Sequence, residues 1–270
     1  MIDDPKYNTL TEILLSMGDI AVAFSGGLDS TFLLTVARQT VGERVIALTL
    51  KTPYIPDWEI KEAEKTCRNI RVRHVILQEQ VIDSLRYNPE NRCYLCKSYV
   101  FDRFIKEVSK LGDYRIVDGT NMDDMKDFRP GMKALQELGI RSPLLESKIT
   151  KNDIRKYSKL LGISDWNKPP YACLLTRIPY DTQISNEELS RIENAELFLH
   201  DLGFKESRVR SQNLSARIEV NPDHFIRIMD KHIRQKIVNA FHKLGFRFIA
   251  IDLEGYRTGS MNIKNRNDEF

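Results

Sequence analysis

The chain has no long uncharged apolar run. Nothing in it approaches the roughly 18 consecutive apolar residues of a membrane-spanning helix, which excludes an integral helical membrane protein. It is also poor in cysteine. Four cysteines (Cys67, Cys93, Cys96 and Cys173) are too few and too unevenly spaced for a disulfide scaffold, and such a set more often holds a metal or does chemistry. A dominant charge is missing as well. Lys plus Arg number 41 against 38 Asp plus Glu, a net charge of +3 that demands no nucleic acid, though a local basic face fits it. The opening MIDDPKYNTL has neither the basic start nor the apolar core of a secretory signal, so the expectation is a cytoplasmic protein. There is no internal repeat and no low-complexity tract. With 41% hydrophobic and 29% charged residues, the 270-residue chain reads as globular, with a polar, frayed stretch expected over Lys264–Phe270. At roughly 100–200 residues per domain it makes one large domain or two ordinary ones.

The hydrophobic pattern then sets out alternating elements. Ile20–Phe24 is a short apolar run, followed by Ser25-Gly26-Gly27-Leu28-Asp29-Ser30 and by Phe32, Leu33, Leu34, Val36 and Ala37 on a buried helix face. Strands are expected at Val45–Leu50, Arg71–Leu77 and Arg115–Val117, and helices at Glu59–Asn69, Tyr99–Leu111 and Thr150–Leu161. This alternation predicts an α/β unit with a mostly parallel sheet covered on both faces. Thr150 with Asp153 three residues on reads as a capping box. Pro169-Pro170 stops helix and sheet alike, so 166–185 reads as a connector. Beyond it the pattern changes to a smaller α+β unit: a helix over Asn186–Leu202, strands at Ser207–Val209 and Ala216–Val220, mainly helix from Pro222 to Leu244, and a strand over Phe246–Leu253. The expected boundaries are therefore 1–165, 166–185 and 186–270.

The glycine loop carries the first chemistry. Glycines let the backbone approach an anion, and the N-terminus of the following helix offers free N–H groups and a positive dipole. The hydroxyls of Ser25 and Ser30 add donors, while Asp29 would repel a phosphate unless a cation such as Mg²⁺ intervened. No lysine follows the glycines, so this is not a Walker A loop, and it is not G-x-G-x-x-G. An arbitrary Gly-Gly marks only a tight turn. The serine-bracketed spacing after an apolar strand favours the phosphate reading.

SGGLDS matches the SGGxDS signature of the PP-loop ATP pyrophosphatases. The resemblance implies an adenine-nucleotide α-hydrolase-like fold, ATP cleaved between its α and β phosphates, and adenylation of a carbonyl or carboxylate oxygen that a nitrogen or sulfur nucleophile then displaces. Ser25, Gly26, Gly27, Asp29 and Ser30 would serve as the pyrophosphate loop.

Cys93-Tyr94-Leu95-Cys96 is a single C-x-x-C with no second copy. Four thiolates would close a zinc site; three would leave one metal position open, as in an iron–sulfur cluster with chemistry at one iron. Cys67 sits among polar helix residues and reads as an ordinary cysteine. Cys173 lies past the prolines at the expected junction, where ligands commonly bind.

Wider segments resemble the LarE sulfur transferases. They are Asn88–Lys97 (NPENRCYLCK), Trp166–Tyr180 (WNKPPYACLLTRIPY), Asp118–Asn121, Arg129–Gly131 and Asp252–Gly259 (DLEGYRTG), within a match from about residue 18 to 262. The resemblance implies adenylation of a carboxylate of pyridinium-3,5-biscarboxylic acid mononucleotide and its conversion to a thiocarboxylate for the nickel-pincer cofactor. One class in that family consumes the sulfur of its own cysteine. The other holds a 4Fe–4S cluster on three cysteines, and Cys93, Cys96 and Cys173 follow that pattern.

The substrate so implied is nucleotide-like, with a phosphate and two carboxylates. Arg129, Arg177, Arg208, Arg210 and Arg257 are candidates for those anions, because guanidinium pairs with both in bidentate fashion. Arg208 and Arg210 alternate on one strand face. Asp118, Gly119 and Asn121 follow the fourth strand, at the carboxyl edge where ligands collect in open α/β sheets. Asp123-Asp124 fits a polar turn and a cation role equally. The five histidines show no metal spacing. The expectation is an ATP- and Mg²⁺-dependent enzyme with a 4Fe–4S cluster, a sulfide donor that no motif names, and a trimeric or hexameric assembly of its own copies, as the family implies. Other readings of the same residues are a tRNA-thiolating PP-loop enzyme, a sacrificial-cysteine enzyme drawing on Cys173, and a non-catalytic nucleotide-binding protein with structural zinc.

Overall fold

The structure, a computed structural model, describes residues 2–126, 130–164, 166 and 171–257. The chain divides into two compact units. One comprises residues 1–85 and 90–171; the other comprises 172–270 together with Arg86–Pro89. No composition shift in the sequence marks that excursion of four residues.

The first unit contains α1 (Pro5–Ser16), β1 (Asp19–Ala23), α2 (Leu28–Val41), β2 (Val45–Lys51), α3 (Asp57–Asn69), β3 (Arg73–Gln78), α4 (Arg92–Leu111), β4 (Tyr114–Val117), α5 (Pro130–Glu137), α6 (Pro143–Glu146) and α7 (Lys151–Leu160). Its four strands are all parallel, in the order β3-β2-β1-β4. Parallel neighbours need crossover helices, which cover both faces and make the strands apolar throughout. Successive residues of β1 accordingly point to opposite cores. Ile20 and Val22 pack with Leu10 and Leu14 of α1, Phe32 and Val36 of α2 and Ile154 and Tyr157 of α7. Ala21 packs with Ile46 and Leu48 of β2 and Phe101, Phe104 and Val108 of α4.

The strand order reverses between β1 and β4, which are neighbours in the sheet while their connections run to opposite sides. At such a switch point the loops after the two strands diverge and leave a crevice for ligands. The loops concerned are 24–27 and 118–121.

The second unit contains α8 (Asn186–Asp201), β5 (Ser207–Gln212), β6 (Ser215–Val220), α9 (Phe225–Met229), α10 (Lys231–Lys243) and β7 (Phe248–Ile251). β5 and β6 are antiparallel, β6 and β7 parallel, and α8 and α10 cover one face with Leu199, Ile237 and Phe241. The expected helix over 222–244 is broken at Asp230, whose side chain accepts from His232 N and Ile233 N and so caps α10.

α7 shows how local chemistry positions the site. Asp153 N donates to Thr150 Oγ1 (3.2 Å) and Thr150 N to Asp153 Oδ2 (3.0 Å), the expected capping box. Burial raises the Asp153 carboxyl, but hydrogen bonds from Lys6 and Thr150 outweigh it and hold it below the usual value. Its contribution to stability is therefore present above the unfolded carboxylate pKa of about 3.9 and lost as pH falls through the lower folded value. Thr150→Ala removes one half of the box and should cost about 1 kcal/mol in urea unfolding at neutral pH. An unchanged urea midpoint would show that the cap carries no stability.

Candidate active site

The loop after β1 is shaped to leave its backbone open. Gly26 has φ +73°, a left-handed conformation, and a Cβ on it would stand 3.3 Å from Ala63 Cβ of α3. Gly27 is the N-cap of α2, and no side chain caps the helix, so its first N–H groups are left for a ligand. The two serines tie the loop shut beneath it. Ser30 Oγ donates to Gly27 O (3.1 Å) and lies 3.2 Å from Ser25 Oγ; Gly27 N donates to Ser25 Oγ (3.3 Å).

The loop after β4 closes against this cradle. A Cβ on Gly119 would come within 3.1 Å of Ser30 N, so glycine lets the two loops approach without crowding. Asn121 is fully buried and spans the two loops: its Nδ2 donates to Asp29 Oδ2 (3.1 Å) and its Oδ1 accepts from Asp123 N (3.0 Å). Asp118 accepts from Thr120 Oγ1 and Ser142 Oγ, both at 2.5 Å, and lies 3.7 Å from Lys97 Nζ. The structure brings Ser25, Gly26, Gly27, Asp29, Ser30, Asp118, Gly119 and Asn121 together. Asp124 joins them by accepting from Asn121 N (3.1 Å), and Asp123 by accepting from Lys151 N (2.9 Å).

Two cations of this crevice were not anticipated. Lys151 Nζ donates to Asp29 Oδ2 at 2.5 Å, and Lys97 reaches Asp118. A signal was available for Lys151. It occupies the first turn of α7, where a cation opposes the helix dipole and has no local reason to be. Lys97 follows Cys96 directly in the C-x-x-C segment. The crevice thus offers backbone N–H groups, hydroxyls, two ammonium groups and several carboxylates, an arrangement suited to a polyphosphate with a divalent cation.

The cysteines fall into distinct environments. α4 begins at Arg92, seven residues ahead of the expected helix, and carries Cys93 and Cys96 in its first turns. Three residues apart on a helix, they share a face. Cys93 is exposed, Cys96 is half-buried, and the Tyr54 hydroxyl is 3.9 Å from Cys96 Sγ. Cys173, half-buried, belongs to the second unit and precedes a 3₁₀ turn over Leu174–Arg177. Cys67 is 1% exposed among the core residues of the first unit, and burial pushes its thiol up to about 12 against a weaker pull from Arg68. Among the described residues no three His, Cys, Asp or Glu side chains are gathered as a metal-ligand group. Within their own units Cys93, Cys96 and Cys173 are each at least partly exposed thiols, and Cys67 is not.

The arginines divide as well. Arg129 lies outside the described residues. Arg177 is 1% exposed and bound to Glu196 of α8 through Nε (2.9 Å) and Nη2 (3.1 Å), so its guanidinium is spent inside the second unit, unlike the anion-facing role expected of it. On β5 and β6, Arg210 pairs in bidentate fashion with buried Glu219 (2.8 and 2.9 Å), Arg217 reaches Glu219 and Asp252, and Arg208 lies over the Tyr256 ring at 4.9 Å. Arg210 and Arg217 thus share Glu219, and Arg208 stands beside them on the same strand face. Arg257 is half-exposed and paired with Glu254.

Comparison with known proteins sets these features in context. A family model described as "Queuosine biosynthesis protein QueC" matches residues 19–90, the stretch holding β1, the glycine loop and β2. The chain is 36% identical over 261 residues to an uncharacterized protein of Synechocystis sp., covering 96% of this chain and 97% of that one. It is 33% identical over 261 residues to the pyridinium-3,5-bisthiocarboxylic acid mononucleotide synthase of Lactiplantibacillus plantarum, covering 95% and 94%. A more distant similarity, 23% identity over 176 residues, is to one component of the glutamine-hydrolysing GMP synthase of Pyrococcus horikoshii, covering 59% of this chain and 57% of that one.

The thiol environments give a direct check. Brief iodoacetamide treatment of the native, metal-free protein near pH 8, below the raised Cys67 pKa, should label Cys93 and spare Cys67. Labelling of both at similar rates in folded protein would contradict the placement of Cys67 in the core.

Proposed function

The chain belongs to the LarE family of ATP-dependent sulfurtransferases, built on a PP-loop ATP pyrophosphatase fold, and we propose that it converts a carboxylate of pyridinium-3,5-biscarboxylic acid mononucleotide into a thiocarboxylate. The observation that carries this reading is the end-to-end similarity to the synthase from L. plantarum, which is named for the bisthiocarboxylic mononucleotide it makes. The crevice between the β1 and β4 loops supports it, because adenylation needs a triphosphate held at its α and β phosphates.

In this account the backbone N–H groups at the start of α2 and the hydroxyls of Ser25 and Ser30 hold the pyrophosphate. Asp29 would hold a Mg²⁺ ion that neutralises the phosphates, and Lys151 and Lys97 would face the leaving pyrophosphate. A carboxylate oxygen of the substrate attacks the α phosphorus, and pyrophosphate leaves with the bond pair. A hydrosulfide then attacks the acyl carbon, AMP leaves with the carbon–oxygen pair, and the thiocarboxylate remains. No net oxidation occurs. Arg208 and Arg210 of β5 would meet the substrate phosphate, Arg210 by exchanging its bonds to Glu219 or Thr176 O, with Arg257 and Arg129 as further anion partners. Asp118, Gly119 and Asn121 set the shape of the nucleotide side of the crevice.

Cys93, Cys96 and Cys173 would hold a 4Fe–4S cluster, which keeps a hydrosulfide deprotonated near neutral pH. Their partial exposure and the chemical inertness of Cys67 support that choice of three. We further propose that the protein acts in the cytoplasm as a homo-oligomer.

Two experiments test this. Anaerobic reconstitution with iron and sulfide should load about four irons per chain, and Cys93→Ala should abolish loading. Tight zinc binding with no iron taken up, or full activity of Cys93→Ala, would overturn the cluster. Asp29→Asn, nearly isosteric, should lower substrate-dependent pyrophosphate release by about 10²–10³-fold with an unchanged fold. Wild-type pyrophosphate release from that variant would remove Asp29 from the mechanism.

A further inference from the structure

The stretch from Ala172 to Pro179 has little regular structure beyond its one 3₁₀ turn, yet three side chains hold its carbonyls. Arg177 Nη1 donates to the carbonyls of Ala172 (2.9 Å) and Cys173 (3.4 Å). Arg210 Nη1 donates to Thr176 O. Asn88 Nδ2 donates to Leu175 O (3.1 Å), Ile178 O (2.8 Å) and Pro179 O (3.0 Å). Six carbonyls of eight consecutive residues are fixed in this way.

Asn88 is an unusual residue to find at 0% exposure. An amide nitrogen has two hydrogens, so three carbonyls must share them. The same surroundings fix which end of the amide is which, since an oxygen in that place would face three acceptors. Its Oδ1 is buried with no partner among the described residues, an unmade bond that the fold accepts while keeping the three donated ones. Its backbone has φ 49°, which asparagine tolerates better than most residues. Main-chain bonds complete the fastening: Asp181 N donates to Asn88 O (3.3 Å) and Ile184 N to Arg86 O (2.8 Å). These bonds explain why Arg86–Pro89 belongs with the second unit.

Arg177 is anchored from behind. Glu196, 6% exposed, binds its Nε and Nη2 and also accepts from Val209 N of β5 (2.8 Å), so α8 and β5 together aim the guanidinium. The carboxylate balances the buried cation and fixes the direction of its fork. A well-packed apolar cluster would stabilise this space with less desolvation. What the polar set adds is control over one stretch of main chain, the stretch that presents Cys173.

We propose that Asn88 and Arg177 are positioning residues for the Cys173 thiol, a role that rests on Cys173 being a sulfur-site ligand. A reacting group displaced by about 1 Å can cost roughly 100-fold in rate, so a ligand on an irregular segment needs such a clasp. The chain that carries Asn88 also runs on, within five residues, to Cys93.

Two gentle substitutions separate this from ordinary packing. Asn88→Gly suits the left-handed backbone and deletes only the amide. Arg177→Lys keeps a cation against Glu196 and loses the fork to the Ala172 and Cys173 carbonyls. In full-length, metal-free protein, timed iodoacetamide labelling read by peptide mass mapping should show Cys173 reacting about fivefold faster or more in each variant, with Cys93 within about twofold of wild type. After anaerobic reconstitution each variant should retain less iron per chain than wild type. Should Asn88→Gly fail to fold, Asn88→Asp, equal in shape but unable to donate, is read in the same way. An unchanged Cys173 rate in both variants overturns the proposal even where the thermal midpoint falls, because a merely structural clasp moves the midpoint alone. Wild-type protein that takes up no iron would sink the cluster while a Cys173-specific rate change still upheld the clasp.

Discussion

Asp29 is the node on which the first unit's chemistry depends. A carboxylate stands in a loop whose exposed N–H groups and helix dipole are built for anions, and it is kept there by Asn121 at 3.1 Å and Lys151 at 2.5 Å. Those partners come from the loop after β4 and the first turn of α7. They reach Asp29 only because β1 and β4 are parallel neighbours at the point where the strand order reverses. The sheet topology, the glycine at 119 and the cap of α7 all serve that one meeting of charges.

The sheet itself was legible because its central strands β1 and β2 are buried on both faces and its strands are bracketed by turn residues. β1, β2 and β4 begin within a residue or so of where the hydrophobic pattern puts them. α1 was not legible, since only Leu10 and Leu14 are fully buried, with Tyr7 and Ile13 half-buried against the core and polar residues between them. The first turns of α4 were obscured by the C-x-x-C itself, which reads as a motif before it reads as helix. Short α5 and α6 carry too few residues for a period to show.

At the site, the glycine loop announced itself because backbone access to an anion demands a narrow set of residues at fixed spacing. The long-range partners did not. Lys151 is separated from Asp29 by 122 positions, and the only hint was a cation placed against a helix dipole. Arg177 shows the opposite failure. Its type and its place near Cys173 suggested an anion site, but sequence carries no mark of the buried Glu196 that engages it. What marks Arg177 as a brace is its buried carboxylate partner and the main-chain carbonyls it holds, neither of which residue type announces.

The central claim is that this chain moves sulfur onto an adenylated carboxylate. The most direct measurement is mass analysis of the product formed under anaerobic conditions from pyridinium-3,5-biscarboxylic acid mononucleotide, ATP, Mg²⁺ and isotopically labelled sulfide with the iron-reconstituted protein. The account predicts replacement of a carboxylate oxygen by labelled sulfur, one AMP and one pyrophosphate per sulfur inserted, and an intact Cys173 through repeated turnovers. Product sulfur without label, with Cys173 losing the elements of hydrogen sulfide, or ATP cleavage with no sulfur transferred, would contradict it.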